Sequence, residues 1–97
     1  MVTYILLMKL TDQGVKAIKE APARIEAGIK GWEAMGGKIH GFYATLGEYD
    51  YVSIGEAPSD EVAMAFSLAL SSFGNVRTVS LKAFTVEEFT KVVKHLP

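Results

Sequence analysis

The chain has 97 residues, room for one small domain over residues 1–97, and 49% hydrophobic against 22% charged residues suffices to fill a core. Ten Lys and Arg stand against 11 Asp and Glu, a net charge of −1, which argues against a nucleic-acid partner. There is no cysteine, which excludes a disulfide scaffold, a thiolate zinc site and a cysteine nucleophile.

The first apolar run, Tyr4 to Leu10, predicts a strand. Tyr4, Leu6, Met8 and Leu10 fall on one face and Ile5 and Leu7 on the other, so both faces need cover. Thr11-Asp12-Gln13 reads as a helix start with Thr11 as N-cap. Val15, Ile18, Pro22, Ile25, Ile29 and Trp32 then recur at steps of three and four, a helical stripe. Pro22 predicts a kink near Ala21-Pro22, and Gly36-Gly37 ends the second helix after about Met35.

Lys38 to Thr45 and Tyr49 to Glu56 read as a hairpin around Leu46-Gly47-Glu48. That register sets Ala44 opposite Asp50, Tyr43 opposite Tyr51 and His40 opposite Ile54. Ser59 caps a helix whose apolar side is Val62, Phe66, Ala69, Leu70 and Phe73, closed by Gly74. Asn75 to Phe84 is a fourth strand, at an edge. Thr85-Val86-Glu87-Glu88 has capping-box form and opens a last helix with Val86, Phe89, Val92, Val93 and Leu96 on its apolar side.

The order β-α-β-β-α-β-α, with right-handed crossovers, predicts an α+β ferredoxin-like split βαβ sandwich with strand order 4-1-3-2. Two helices cover one sheet face. The short last helix cannot cover the other, so a second copy is expected there, as a homodimer or a higher even oligomer. No apolar run is long enough to cross a membrane, and Met1 to Met8 lacks the features of a signal peptide, so a cytoplasmic protein without a membrane partner is expected.

Two motifs have a familiar spacing. One is Gly47-Glu48-Tyr49-Asp50; the other is Gly74-Asn75-Val76-Arg77-Thr78 leading to Leu81-Lys82-Ala83-Phe84-Thr85. With Gly14, Lys19, Glu20, Pro22 and Arg24, the chain resembles the GYD family of small proteins over nearly its whole length. The resemblance implies a dimeric α+β barrel and implies little about activity. His40 departs from the pattern, which makes it a poor candidate for a shared mechanism.

The topology gathers Tyr49-Asp50, Lys9-Leu10 and Asn75 to Arg77 at one end of the sheet. Asp50 and Arg77 are then about 10 Å apart at ~4.8 Å per strand, a gap an arginine can close. Such a pair either fixes the loop ends or lets Arg77 hold an anionic group while Asp50 orients it. His40 and Asp50 lie roughly 13 Å apart along the hairpin and cannot form a dyad. Tyr43 and Tyr51, facing each other across the hairpin, are either a packing pair or the walls of a pocket for a planar molecule, and Trp32 at the end of the helical stripe is either core packing or a ligand contact. The candidate ligand-binding residues are thus Trp32, His40, Tyr43, Asp50 and Arg77, with catalytic residues unassigned. No metal site and no cofactor is expected, because two His without Cys or a carboxylate cluster at ligand spacing assemble none.

Three readings follow. The first is a homo-oligomeric domain whose main property is assembly, with or without a small-molecule ligand in the barrel pocket, and no catalysis assigned. The second is a cofactor-free enzyme of monooxygenase or isomerase type, by analogy of fold alone. The third is a regulatory protein-interaction module. A large cavity containing Asp50 or His40 favours the enzyme, and a barrel filled by Phe42, Phe66 and Leu6 favours the first reading. An exposed patch at Phe89, Val92 and Val93 favours the third.

Overall fold

A computed structural model describes all residues, Met1–Pro97. The elements are β1 (Val2–Leu10), α1 (Asp12–Lys16), a 3-10 turn (Ile18–Glu20), α2 (Ala21–Ala34), β2 (Lys38–Ala44), β3 (Tyr51–Ala57), α3 (Asp60–Ser72), β4 (Val76–Ala83) and α4 (Val86–Val93). All strand pairings are antiparallel, and the sheet order is β2-β3-β1-β4, the order expected from the sequence.

Short-range chemistry sets the helix starts. The Thr11 hydroxyl accepts the Gly14 N–H at 3.1 Å, and Ser59 Oγ accepts the Val62 N–H at 3.2 Å. Thr85 and Glu88 form a reciprocal capping box. The break between the first two helices falls earlier than expected, at Ala17, and a 3-10 turn intervenes. Pro22 sits in the first turn of α2, where a missing N–H costs nothing, so it opens that helix instead of kinking it.

The hairpin departs from the expected register. β3 begins at Tyr51, and the loop closes through a bond from Thr45 N–H to the Asp50 carbonyl at 2.9 Å. Ala44 therefore faces Tyr51, and Tyr43 faces Val52. A bulge at His40, between Ile39 and Gly41, restores the original pairing for Ile39 with Gly55 and Lys38 with Glu56. The cause lies outside the hairpin. Asp50 donates its N–H to the Met8 carbonyl at 2.9 Å and accepts the Leu10 N–H on its carboxylate at 2.8 Å. Both bonds draw Asp50 out of the strand and onto β1.

α2 lies over β2, and α3 over β4 and β3. Trp32 of α2 and Phe66 of α3 meet at 4.8 Å between ring centroids, on Ala57 and Ala63. Between the splayed helices the core is hollow, and no large side chain is completely buried.

The opposite sheet face carries Ile5, Leu7, Val52, Ile54, Tyr43, Val79 and Leu81, in the same register across the strands. Tyr43, Ile54, Val79 and Leu81 are exposed. α4 makes no extended contact with another element, and Val86, Phe89, Val92, Val93 and Leu96 are all exposed. The radius of gyration is 14.7 Å, against about 12.5 Å for a compact chain of this length.

One polar clasp ties the far end of the sheet to α3. Tyr4 OH donates to Asp60 Oδ1 at 2.6 Å and Lys82 Nζ to Oδ2 at 3.0 Å. The Tyr4 bond, then the Lys82 bond, holds the Asp60 carboxyl below its ordinary range, and the Asp60 bond pushes the Tyr4 phenol up. A depressed carboxyl stabilises the fold above its unfolded pKa, and that stabilisation is lost as pH falls through the folded value. Asp60→Asn is therefore expected to melt below the parent near pH 7, with the gap closing as the pH falls through and below the ordinary carboxylate range. A gap that stays constant in thermal melts across that range would remove the clasp's electrostatic role.

Candidate functional site

The hollow between α2, α3 and the sheet is a cavity of about 650 Å³, lined by 22 residues of which 17 are hydrophobic. That volume falls in the range of small-molecule sites. Leu6, Met8 and Leu10 of β1 form part of its floor, with Tyr51 and Ser53 of β3. Trp32 and Phe66 stand at one end. The other end lies where β1 finishes and α2 begins, beside Arg24, Asn75 and Val76.

Local sequence explains the walls. β3 alternates strictly, so Tyr51, Ser53, Gly55 and Ala57 all turn toward the helices and are buried. Trp32 is 5% exposed and donates its indole N–H to the Lys38 carbonyl at 3.1 Å. Two glycines make room for the ring: a Cβ on Gly37 would lie 2.3 Å from it, and one on Gly55 3.4 Å from Nε1. On α2 the inward stripe runs Ala21, Ile25, Gly28, Trp32. A Cβ built at Gly28 meets nothing within 4 Å, so the helix face over the cavity has an empty position at its centre.

Of the five residues singled out from the sequence, only Trp32 lines this cavity. Tyr43 is exposed on the opposite sheet face, paired with Val52 and not with Tyr51, which is buried against Phe42. His40 sits on the bulge, with Nε2 at 2.6 Å from Glu56 Oε2. Arg77 pairs with Lys9 in register on the outer face. The expected Asp50–Arg77 ion pair does not form, because the Asp50 carboxylate is bonded to the Leu10 amide. Lys9 instead meets Glu48 at 3.6 Å and stands 5.4 Å over the Tyr49 ring. The expected gathering of these segments at one sheet end does occur, through Asp50 to β1 and Arg77 to Lys9. No group of three or more His, Asp or Glu stands close enough to hold a metal ion.

Tyr51, marked from the sequence as a pocket wall with Tyr43, does line the cavity, while Ser53 and Gly28 went unmarked. The available signal was a glycine inside an amphipathic helix, where it lowers helix stability by about 1 kcal/mol relative to alanine.

No helix is long and apolar enough to cross a membrane. The family model for the GYD domain matches residues 4–93. A protein of Thermus thermophilus, described as glutamine synthetase and cystathionine beta-lyase binding protein, is 34% identical over 95 residues, covering 97% of this chain and 100% of that protein. No solved structure matches the chain. With a match that leaves out only the first three and last four residues, the chain belongs to the GYD domain family.

Proposed function

We propose that residues 1–97 act as one cytoplasmic, homo-oligomeric, protein-binding domain. The observation that carries this reading is the pair of uncovered apolar surfaces, the outer sheet face and the α4 stripe through Phe89, Val92 and Val93. Monomeric proteins rarely leave contiguous apolar surface of this kind in water. A second copy packed on the outer face would close the sheet into a two-subunit barrel. The α4 stripe is then the surface offered to another protein. The Thermus relative, described as binding two enzymes, supports a role of that kind.

Val79 and Leu81 lie on the outer face of the edge strand and are 45% and 44% exposed in the single chain. Lysine there should leave the fold intact and oppose sheet-to-sheet contact. Native mass spectrometry is expected to find an even-numbered oligomer for the parent and a folded monomer for V79K/L81K. Immobilised glutamine synthetase or cystathionine β-lyase is expected to retain the parent chain. A parent that is monomeric, and that neither enzyme retains, would overturn the reading.

The cavity supports a second role, a small-molecule ligand that accompanies assembly. The enzyme reading has less support. Neither Asp50 nor His40 lines the cavity, and the Asp50 carboxylate is engaged by the Leu10 backbone.

A further inference from the structure

We propose that the cavity is a binding site for a mainly apolar monocarboxylic acid, its chain toward Trp32 and Phe66 and its carboxylate toward Tyr51 and Arg24. The proposal rests on the small-molecule reading of the cavity and names the ligand class.

Three independent features point to a ligand. First, Tyr51 and Ser53 are each 8% exposed and line the cavity, and neither hydroxyl makes a hydrogen bond within the chain. No side-chain oxygen is sealed away without a partner, so both hydroxyls open onto the cavity, where that of Tyr51 is free to bond an oxygen-bearing guest. Second, Arg24 lines the same space from the first turns of α2. Its guanidinium donates to the Ala17 carbonyl at 2.9 Å and to Glu20 at 3.3 Å, which leaves further N–H donors. Tyr51 pairs with Met8 near the end of β1, and α2 starts from that same end. Arg24 and Tyr51 therefore stand toward one end of the cavity, and Ser53 lies beside Trp32 and Phe66 toward the other.

Third, α2 keeps the space open at the expense of its own stability. Gly28 occupies the centre of the inward stripe, where alanine would favour the helix and would meet nothing within 4 Å. A helix selected for stability alone would carry a side chain at this position. The polarity of the site selects the ligand. A hydrocarbon would offer no partner to Arg24 or the Tyr51 hydroxyl, and a polyol would set polar groups against the apolar walls. An acid with an apolar chain satisfies both.

Trp32 is the sole tryptophan and stands in the cavity wall, so its emission reports occupancy directly. The full-length chain is titrated with dodecanoate, and separately with dodecanol, below their aggregation thresholds. A saturable change in Trp32 emission is expected with dodecanoate, with dodecanol about tenfold weaker. Tyr51→Phe removes only a hydroxyl and should weaken dodecanoate several-fold with dodecanol little changed, whereas Ser53→Ala, at the aromatic end, should leave dodecanoate unchanged. Gly28→Leu should raise the melting temperature and abolish binding of both probes.

Equal affinity for acid and alcohol, with no effect of Tyr51→Phe, would overturn the acid assignment and leave the small-molecule reading standing. No saturable response to either probe would overturn both. Undiminished binding of the probes by Gly28→Leu would place them outside the cavity and would also overturn both.

Discussion

Trp32→Ala is expected to lower the unfolding free energy by about 3–5 kcal/mol, the usual range for a large aromatic removed from a core. A domain of this size has about 5–15 kcal/mol in total, so the variant should be marginal or unfolded at physiological temperature. The indole is the largest side chain in the buried cluster, which otherwise holds Ala57 and Ala63. It packs at a tilt against Phe66 and bonds the Lys38 carbonyl, so one residue joins α2, α3 and the start of β2. Its loss would enlarge a cavity already present, with Gly37 and Gly55 beside it offering no side chain to fill the hole. Trp32→Phe should cost less, because a ring still meets Phe66, yet it leaves the Lys38 carbonyl without its side-chain donor. Guanidinium unfolding of both variants measures the difference. A loss under about 1 kcal/mol for Trp32→Ala would place the core elsewhere.

What could be read from the sequence was local or topological. Thr11, Ser59 and Thr85 announce helix starts because a cap is chemistry among residues three apart. Strand order followed from the sequence of elements and the handedness of crossovers. The doubly apolar β1 announced a sheet that needs cover on both faces, and the outer face is indeed uncovered in the single chain.

The hairpin register was out of reach for a physical reason. It depends on Asp50, whose two backbone bonds go to Met8 and Leu10, about 40 positions away in sequence. Those bonds lengthen the loop, shift the pairing by one, and send Tyr43 to the face opposite Tyr51. The same two bonds explain why Asp50 looked like a chemical residue while acting as a peg between strands. The cavity was harder still, since it is made by side chains that are missing. Gly28 leaves no hydrophobic mark in a periodicity count, and a serine on a buried strand face resembles any strand serine.

Gly14→Ala should cost about 2–4 kcal/mol, whereas the same substitution at Gly28 should be neutral or stabilising by up to about 1 kcal/mol. Both glycines are helical, so propensity alone predicts a gain at each. The surroundings decide the sign. At Gly14 an added Cβ would lie 2.2 Å from the Asn75 carbonyl oxygen and 3.0 Å from Leu10 Cδ2. That oxygen cannot simply move, because it accepts the Thr11 N–H at 3.0 Å. Around it, the Thr11 hydroxyl donates to the Gly74 carbonyl at 2.5 Å, and Gln13 Nε2 donates to the Phe73 carbonyl at 2.9 Å and to Asn75 Oδ1 at 3.0 Å. Gly74 holds the turn at φ 81°, a conformation open to glycine. The first turn of α1 is thus keyed into the loop ahead of β4, and a methyl group at Gly14 would have to pry the two apart, loosening several bonds together. Thermal and chemical unfolding of the two alanine variants compares a filled site with an open one under identical chemistry. A Gly14→Ala protein as stable as the parent would show that this loop yields freely, and that the contact between α1 and the start of β4 does not hold the two sheet ends together.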